Sequence, residues 1–223
     1  RGTRSYHIVY HTQNSKYFEW QSRYSRYAFL NSNQKSYANY TRLVTACDHG
    51  ASDWLSDEIP TFYARPHYLN AEYGPADKPY ALLQWMRSTP ITEEIIMVID
   101  SDCLILSDLS SYTRLVRKGQ PLAQKGYMEN YAHPSSEFTQ IAQRYCHNCS
   151  LHQWQPLAVP YMIHQDDLRA ILPRWIDKLE EMWRDKPNWP QSWMQPHIQL
   201  HWCAEMFAYF FAAAEIGLEH LIL

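Results

Sequence analysis

The sequence lacks several features that would assign it to a common class. Its 223 residues contain no window near the roughly 18 uninterrupted apolar residues of a membrane-spanning helix, and no charged-then-apolar leader opens the chain. Basic residues are not in excess, because 20 Lys and Arg face 23 Asp and Glu, for a net charge of −3. Nucleic-acid-binding domains normally carry a basic face, so we expect no nucleic-acid partner. There is no internal repeat, and the length predicts a single domain, residues 1–223.

The cysteines do not form a recognisable zinc site. There are five, Cys47, Cys103, Cys146, Cys149 and Cys203, and an odd number cannot all pair within one chain. Cys146 and Cys149 form a C-x-x-C motif, but no second close pair completes a zinc set. A redox motif of this kind would open a helix after a strand, whereas the flanks here have loop character. A disulfide or a loop staple is at least as compatible with the spacing.

Aromatic residues are abundant, at 15% of the chain with 17 Tyr and 9 Trp. Most such rings pack in a core or on a surface, and some stack on sugar or base faces in a cleft.

The ends of the chain and two sequons predict features of a longer protein to which this domain belongs. The chain starts at Arg1, close to one strand-like run, and ends at Leu223 in another, so we expect a catalytic domain from a longer protein, with any membrane anchor outside it. Asn39-Tyr40-Thr41 and Asn148-Cys149-Ser150 are glycosylation sequons, which are compatible with a secretory lumen.

Strand-like and helix-like segments alternate along the chain. The predicted strands are Tyr6 to His11, Thr41 to Ala46, Ile95 to Asp100, Val159 to His164 and Glu219 to Leu223. The predicted helices are Tyr17 to Leu30, Asp77 to Arg87, Leu168 to Trp183 with a kink or restart at Pro173, and Trp202 to Ile216, with a long irregular loop over Arg184 to His201. This alternation predicts an α/β sandwich with a mostly parallel central sheet. In such sheets ligands bind beyond the carboxyl ends of the strands.

The Asp100-Ser101-Asp102 triplet is the first candidate site. It follows Ile95 to Ile99, a continuous apolar run that is typical of a strand buried on both faces of a parallel sheet. If the strand continues, residues 100 and 102 point to the same side. Two carboxylates aimed into one crevice favour a hard divalent ion such as Mg²⁺ or Mn²⁺, with phosphate oxygens completing its shell. The alternative is a strand-to-turn junction in which Asp caps the next segment.

Further acidic candidates follow later in the chain. Asp166 and Asp167 lie where a strand hands over to a helix; one is expected to be the N-cap, and the other, with His164, could face the cleft. Glu205 lies in an apolar helix, where a carboxylate is costly unless it is paired or coordinated. It either has a raised pKa and a catalytic role or bonds to a neighbouring backbone group.

Histidine and lysine candidates complete the set. His220 follows the last helix and is a potential metal ligand or a structural histidine. His11 and Thr12 follow the first strand, where a nucleotide would bind, and Lys78 lies near a helix start, where it could meet a phosphate.

Taken in order, segments along nearly the whole chain resemble one family. They are Tyr6 to Thr12, Tyr17 to Gln21, Thr41 to Val44, Asp57 to Phe62, Lys78-Pro79 with Trp85, Ile99 to Asp102, His133-Pro134, Met162 to Ala170, Pro173-x-Trp175, Glu205 to Tyr209 and Ala214 to His220. These segments resemble the peptidyl serine α-galactosyltransferases of plants and green algae, which share a domain type with hydroxyproline O-arabinosyltransferases. The D-x-D and the His-x-Asp-Asp-Leu-Arg-Ala stretch are more similar to the serine galactosyltransferases.

The resemblance implies a GT-A-type fold and an enzyme that uses a UDP-sugar and Mn²⁺ (or Mg²⁺). It implies retaining transfer, with galactose as the favoured sugar, to serine hydroxyls of hydroxyproline-rich wall glycoproteins in the ER–Golgi lumen. By analogy, the ion would bridge Asp102 and the diphosphate, with Asp100 bound directly or through water and His220 as a candidate further ligand.

The same analogy distributes the remaining roles. His11, Thr12 and Arg42 would line the nucleotide side and Lys78 would steady a phosphate. Glu205 and Asp166 would position the sugar or support the reacting face.

Three other interpretations stay open. The chain could be a hydroxyproline O-arabinosyltransferase, which differs in donor. It could be a non-catalytic glycan- or nucleotide-binding domain on the same fold. A cytosolic metal or redox protein built on Cys146 and Cys149 is the third.

Overall fold

The computed structural model describes residues 5–45, 53–126, 137–147, 157–195 and 198–223. In these residues the strands are β1 (Tyr6–Gln13), β2 (Ala38–Thr45), β3 (Thr61–Ala64), β4 (Ile95–Ile99), β5 (Leu122–Lys125), β6 (Leu157–His164) and β7 (Leu221–Ile222). The α-helices are α1 (Lys16–Asn31), α2 (Asp77–Ser88), α3 (Glu137–Tyr145), α4 (Gln165–Arg184) and α5 (Leu200–Glu215).

All of these strands belong to one sheet in the order β3-β2-β1-β4-β6-β5-β7. The pairs β1–β2, β1–β4, β2–β3 and β5–β7 are parallel, and only β6 runs antiparallel to its neighbours β4 and β5. The chain builds outward from β1 to β2 and β3, then returns to place β4 on the other side of β1. The carboxyl ends of β1 and β4 therefore flank a topological switch point, where α/β sheets form a crevice.

The sheet carries apolar side chains on both faces because helices cover both. Along β1, Val9 packs with the layer that contains α2, α4 and α5, whereas Ile8 and Tyr10 pack with the layer that contains Phe29 of α1. All five residues of β4 are buried, as the apolar run predicts for a strand covered on both faces. The predicted mostly parallel α/β sandwich is confirmed.

Helix α1 has an unusual distribution of side chains. Its buried positions include Gln21, Ser22 and Ser25. Phe29 is its one buried ring within the described residues, whereas Tyr17, Trp20, Tyr24 and Tyr27 are 62%, 54%, 60% and 68% exposed. A surface helix normally shows the opposite arrangement, with apolar residues facing the core.

Helix α4 differs from its prediction at its start. Its N-cap is His164, whose side chain accepts from the Asp166 amide, so neither Asp166 nor Asp167 is the N-cap. Both aspartates instead lie in the first turn, where a carboxylate favours the positive end of the helix dipole. The helix runs through Pro173 without a restart.

Several other elements differ from expectation. Strands β3 and β5 were not predicted because each spans only four residues. Helix α3 ends just before Cys146, so the upstream flank of the C-x-x-C motif is helical rather than loop. The Arg184 to His201 segment contains two short 3-10 turns and the buried rings of Trp189 and Trp193.

Within the described ranges, none of the helices has both the length and the apolarity to span a membrane.

Candidate active site

A cleft of about 690 Å³ opens at the switch point between β1 and β4. This volume is within the range of about 300–1,000 Å³ that is usual for small-molecule sites. Six residues singled out in the sequence line it: His11, Thr12, Lys78, Asp100, Asp102 and Glu205. They come from β1, from α2, from the turn after β4 and from α5, so the fold gathers residues separated by nearly 200 positions in the chain.

The Asp100-Ser101-Asp102 segment is a turn rather than the end of a strand. Strand β4 ends at Ile99, and the Cys103 amide donates to the Asp100 carbonyl at 3.1 Å. The two carboxylates therefore line the cleft through turn geometry, not through strand periodicity. Ser101 is buried and donates from Oγ to Oε1 of Gln21 at 2.7 Å, which anchors the turn to α1. Asp102 is exposed, and no described side chain forms an ion pair with it.

Lys78 joins two carboxylates of the cleft. Its Nζ lies 2.8 Å from Oδ1 of Asp100 and 3.1 Å from Oε2 of Glu205. Burial acts to lower the pKa of Lys78, but the two carboxylates outweigh it and hold that pKa above its usual range. Lys78 is therefore charged, and it neutralises part of an acidic cluster.

Glu205 is held in place by its backbone, but only one of its two carboxylate oxygens has a partner among the described residues. Its backbone amide donates to the Tyr73 hydroxyl at 3.0 Å, and its carbonyl accepts from Trp175 Nε1 at 2.9 Å. Burial raises the pKa of Glu205, Lys78 opposes this rise and Asp100 adds to it. Oε1 is buried and accepts no hydrogen bond from the described residues. A buried acceptor without a partner beside a cleft is suited to a ligand hydroxyl.

His11 and Thr12 form the β1 side of the cleft. His11 Nε2 lies 2.9 Å from Oγ1 of Thr45 on the neighbouring strand. Burial, reinforced by the Lys78 charge, lowers the pKa of His11 to about 3. His11 is therefore neutral at physiological pH and offers hydrogen bonds rather than charge.

The structure does not bring Arg42 into the cleft. Its guanidinium is buried, with NH2 at 2.5 Å from Oδ1 of Asp53 and 3.1 Å from Oγ1 of Thr61. Arg42 thus ties β2 to neighbouring segments, and its donors point to protein groups rather than to a nucleotide.

Asp166 also lies elsewhere, for a topological reason. Strand β6 is antiparallel to β4 and His164 pairs with Ile95, so the carboxyl end of β6 is at the edge of the sheet opposite the cleft. Asp166 is half-exposed there and forms an ion pair of 2.9 Å with Lys118. The rule that ligands bind beyond the carboxyl ends of strands does not carry over to a strand of reversed direction.

His220 is the third predicted residue outside the cleft. The registers of the pairs β7–β5, β5–β6 and β6–β4 place His220 opposite Ile96, counted across the sheet. Ile96 of β4 is four positions before Asp100. The strand rise and strand spacing place His220 about 13 Å from Asp100 along the strands and about 14 Å across them. His220 is buried, with Nε2 at 2.8 Å from the Tyr209 hydroxyl, and burial lowers its pKa to about 3.

Comparison with known families identifies the chain. The model of the hydroxyproline O-arabinosyltransferase family N-terminal domain matches residues 6–222. The chain belongs to this family.

Individual relatives include both branches named above. A peptidyl serine alpha-galactosyltransferase of Arabidopsis thaliana is 26% identical over 228 residues, covering 97% of this chain and 26% of that protein. The hydroxyproline O-arabinosyltransferase PLENTY of Lotus japonicus is 26% identical over 221 residues, covering 97% of this chain and 57% of that protein. The chain thus spans 26% of the length of the first relative and 57% of the length of the second.

Solved structures confirm the GT-A-type fold. Galactosyltransferase LgtC, in complex with donor and acceptor sugar analogs, gives a TM-score of 0.52 at 11% identity and covers 96% of this chain and 72% of its own. Mouse xyloside xylosyltransferase 1 in its apo form gives 0.50 at 10% identity and covers 98% and 85%. At such identities the likeness concerns the fold alone.

At its cleft, the chain has carboxylate oxygens that are suited to act as ligands of a hard divalent ion. Asp100 and Asp102 supply carboxylate oxygens at the cleft, and Asp102 is exposed there. Within the described ranges, no group of three or more His, Cys, Asp and Glu side chains is arranged to hold a metal. An ion at these carboxylates therefore needs ligands from a bound molecule, as phosphate oxygens of a substrate would provide.

For some residues of the cleft, no pattern in the sequence indicates that they belong to the site. Gln21 anchors the aspartate turn but reads as an ordinary polar residue of a helix. Gly74 lies so close to Gln13 that an added Cβ would be 2.5 Å from Gln13 Nε2. Trp202 lines the cleft and is 65% exposed, which the predicted buried helix does not indicate.

Of the five cysteines, those that the structure describes do not line the cleft. Some other predicted features fall outside the described residues. Cys146 is engaged in a disulfide bond, and burial raises the pKa of Cys103 to about 11. The features outside the described residues are Cys47, Cys149, the sequon at 148–150 and His133-Pro134.

Proposed function

We propose that this chain is the catalytic domain of a glycosyltransferase that moves galactose, with retention, from UDP-galactose to a serine hydroxyl of a hydroxyproline-rich glycoprotein. The observation that carries the proposal is the pair of carboxylates, Asp100 and Asp102, at the switch-point cleft of a GT-A-type sheet. Family membership and the serine galactosyltransferase among its relatives support it.

Hydroxyproline O-arabinosyl transfer is the second candidate. The family description and the Lotus japonicus relative favour it as strongly as the Arabidopsis thaliana relative favours galactosyl transfer. The two candidates share fold, cleft and cation chemistry and differ in the donor sugar and the acceptor residue.

Asp100 and Asp102 would hold Mn²⁺ (or Mg²⁺) together with the donor diphosphate. When bound, such an ion neutralises the charge that develops on the departing diphosphate. Lys78, 2.8 Å from Asp100, would donate to a phosphate oxygen while it keeps its bond to Glu205. His11 and Thr12 would contact the nucleotide from β1, with His11 acting as a neutral hydrogen-bonding group.

Glu205 would orient the sugar. Lys78 holds Oε2, and the bonds of the Glu205 backbone to Tyr73 and Trp175 hold α5 in register, so Oε1 has a defined direction. A sugar hydroxyl that donates to Oε1 would satisfy this buried acceptor. Such a fixed acceptor aligns the anomeric carbon with the acceptor hydroxyl.

The transfer breaks the bond between the anomeric carbon and the diphosphate oxygen and forms one to the acceptor oxygen. The acceptor proton leaves with the released UDP. We assign no covalent nucleophile. The ER–Golgi lumen is the proposed location, since the proposed acceptors are secreted wall glycoproteins.

A donor-turnover screen tests the proposal. Purified chain is incubated with UDP-galactose or UDP-arabinofuranose, with and without Mn²⁺, and released UDP is measured. We expect Mn²⁺-dependent turnover of UDP-galactose that Asp102→Asn reduces at least about 100-fold, as loss of an electrostatic contribution to a transition state does. Asp177→Asn, an exposed aspartate of α4, is the matched control and should leave the rate unchanged.

The outcomes separate the competing functions. Turnover of UDP-arabinofuranose alone assigns the arabinosyl activity, and UDP binding without turnover assigns a binding domain. Full metal-dependent activity in Asp102→Asn would overturn the central assignment.

A further inference from the structure

The exposed rings of α1 form a continuous stripe. Tyr17, Trp20, Tyr24 and Tyr27 follow the spacing i, i+3, i+7, i+10 within α1. At 3.6 residues per turn they fall within an arc of about 80° on the helix surface. Neighbouring rings meet edge to face, with centroids 6.3 Å apart for Tyr17–Trp20 and 6.5 Å apart for Trp20–Tyr24.

This aromatic stripe is not explained by the packing of α1. Besides Phe29, the helix buries only the polar Gln21, Ser22 and Ser25, while its Trp and its three Tyr rings face outward. Burying those rings would contribute more to folding than burying small polar groups. A helix that exposes them loses that contribution, which points to an external occupant of the outward face.

The stripe is continuous with the cleft. Tyr17, its first ring, lines the cleft together with Asp100, Asp102 and Glu205. From Tyr17 to Tyr27 the helix rises about 15 Å, which equals about five residues of a polyproline II helix. An extended chain with one residue at the mouth of the cleft would therefore lay the following residues along the stripe.

A second group borders the stripe. Arg23 lies with its guanidinium carbon 4.1 Å from the centroid of the Trp54 ring, and its NH2 pairs with Glu58 at 2.9 Å. Arg23 precedes Tyr24 on the same helix and Trp54 is 53% exposed, so this stacked pair adds a further exposed ring and a cation near Tyr24. Surfaces lined with aromatic rings are the kind that binds polyproline II segments.

We propose that the aromatic stripe is the docking surface for a hydroxyproline-rich, polyproline II segment that flanks the acceptor residue. This inference rests on the proposed function, and the hydroxyproline chemistry enters through the family to which the chain belongs. The stripe holds the segment by ring-to-ring packing, and the cleft receives one hydroxyl side chain. The enzyme thus recognises the context of the acceptor residue rather than the residue alone.

Peptide binding without any donor tests the surface. The probe is a peptide of about ten hydroxyprolines around one central serine, which is long enough to span the stripe. Its control replaces every hydroxyproline with glycine, and binding is measured by isothermal titration calorimetry. We expect the Trp20→Ala/Tyr24→Ala double variant to bind the hydroxyproline peptide at least about tenfold more weakly, as removal of aromatic anchors does at other interfaces.

The control variant is Tyr68→Ala. Tyr68 is 68% exposed, as Tyr27 is, but its ring lies tilted against His67, which hydrogen-bonds to Glu180 of α4 in the layer across the sheet from α1. We expect this variant to bind the peptide like the unaltered chain. Neither Trp20 nor Tyr24 lines the cleft, so the double variant should retain donor turnover while its KM for the peptide acceptor rises.

Several results would overturn the proposal. These are equal affinity for the hydroxyproline and glycine peptides, undiminished binding in the double variant, or a dimer of the chain that the double variant abolishes. The two proposals can fail separately. Donor turnover without selective peptide binding would disprove the docking surface alone. Selective peptide binding without donor turnover would disprove the proposed activity alone.

Discussion

Lys78 and Asp100 form a direct ion pair in the cleft, with Nζ 2.8 Å from Oδ1. The same ammonium reaches Glu205, whose side chain is only 4% exposed. The first carboxylate of the aspartate turn and a buried carboxylate of α5 thus share one cation. This arrangement links the folding stability of the domain to the chemistry of its cleft.

Removing the shared cation should destabilise the fold. Lys78→Met leaves the buried Glu205 carboxylate without its partner, which we expect to lower the free energy of unfolding by about 3 kcal/mol at pH 8. Burial already raises the pKa of Glu205, and loss of Lys78 raises it further, so the folded variant binds a proton more readily than the unfolded chain. Its stability therefore increases as pH falls, and the deficit should be smaller at pH 5.5 than at pH 8.

Urea unfolding at the two pH values measures this effect. The Lys78→Met/Glu205→Gln double variant is the control, because it removes the uncompensated charge and should recover most of the stability. A deficit that is identical at both pH values would contradict the explanation.

Asp102 should matter for binding and not for stability. It is exposed and forms no ion pair within the described residues, so Asp102→Asn is expected to change the free energy of unfolding by less than about 0.5 kcal/mol. Calorimetric affinity for UDP in the presence of Mn²⁺ should fall at least about tenfold, through loss of a hard oxygen ligand. An affinity equal to that of Asp177→Asn would be incompatible with a metal role.

Two glycines should respond to alanine in opposite ways. At Gly74 a Cβ would lie 2.5 Å from Gln13 Nε2, the end of a flexible side chain that lines the cleft. Gly74→Ala should therefore displace Gln13 and reduce UDP affinity with a small stability change. Gly119 has φ +80 and open space around it, so Gly119→Ala should cost about 1 kcal/mol of stability and leave UDP affinity unchanged. Thermal unfolding and UDP titration of both variants distinguish the two effects, and a reversed pattern would be contrary to the geometry.

His220 should make the fold sensitive to acid. Burial lowers its pKa to about 3, whereas an unfolded histidine has a pKa of about 6.5. Its contribution is fully present above pH 6.5 and is lost as pH falls from 6.5 towards 3, because the unfolded chain takes up the proton first. Between pH 7.5 and pH 5 this loss amounts to about 2 kcal/mol.

The His220→Gln variant isolates this contribution. Its free energy of unfolding should fall less between pH 7.5 and pH 5 than that of the unaltered chain. The comparison uses the difference within each protein, so a lower starting stability of the variant does not affect it. Equal losses in both proteins would show that His220 does not carry the acid sensitivity.

Much of the fold could be predicted from the sequence because its signals are local. The apolar run Ile95 to Ile99 predicts a strand covered on both faces, and the periodic apolar residues after Leu168 predict α4. The four-residue strands β3 and β5 could not be found this way, because segments so short carry no reliable period. The misassigned N-cap of α4 has a different cause: Asp is a preferred N-cap residue and His is not, so only the course of the backbone shows that the helix begins after His164.

Whether a predicted site residue lies in the cleft depends largely on the direction of the strand that carries it. His11 and Thr12 lie near the carboxyl end of β1, Asp100 follows the parallel β4, and all three line one cleft. Asp166 follows β6, whose reversed direction no local pattern reveals, and it lies at the opposite edge. Arg42 lies within β2, and its guanidinium is held by Asp53 and Thr61 instead of facing the cleft.

The sequence by itself determined the α/β class, the family and the acidic triplet Asp100-Ser101-Asp102, because each depends on residue types and spacings that are read along the chain. Only the tertiary structure decided that Lys78 and Glu205 meet Asp100, and that Asp166 and His220 do not. The outward-facing rings of α1 were equally hidden in the sequence, since their periodicity alone does not say which face of the helix is buried. The physical reason is common to all three: strand direction and helix orientation are set by long-range packing, and the positions of charged and aromatic groups follow from them.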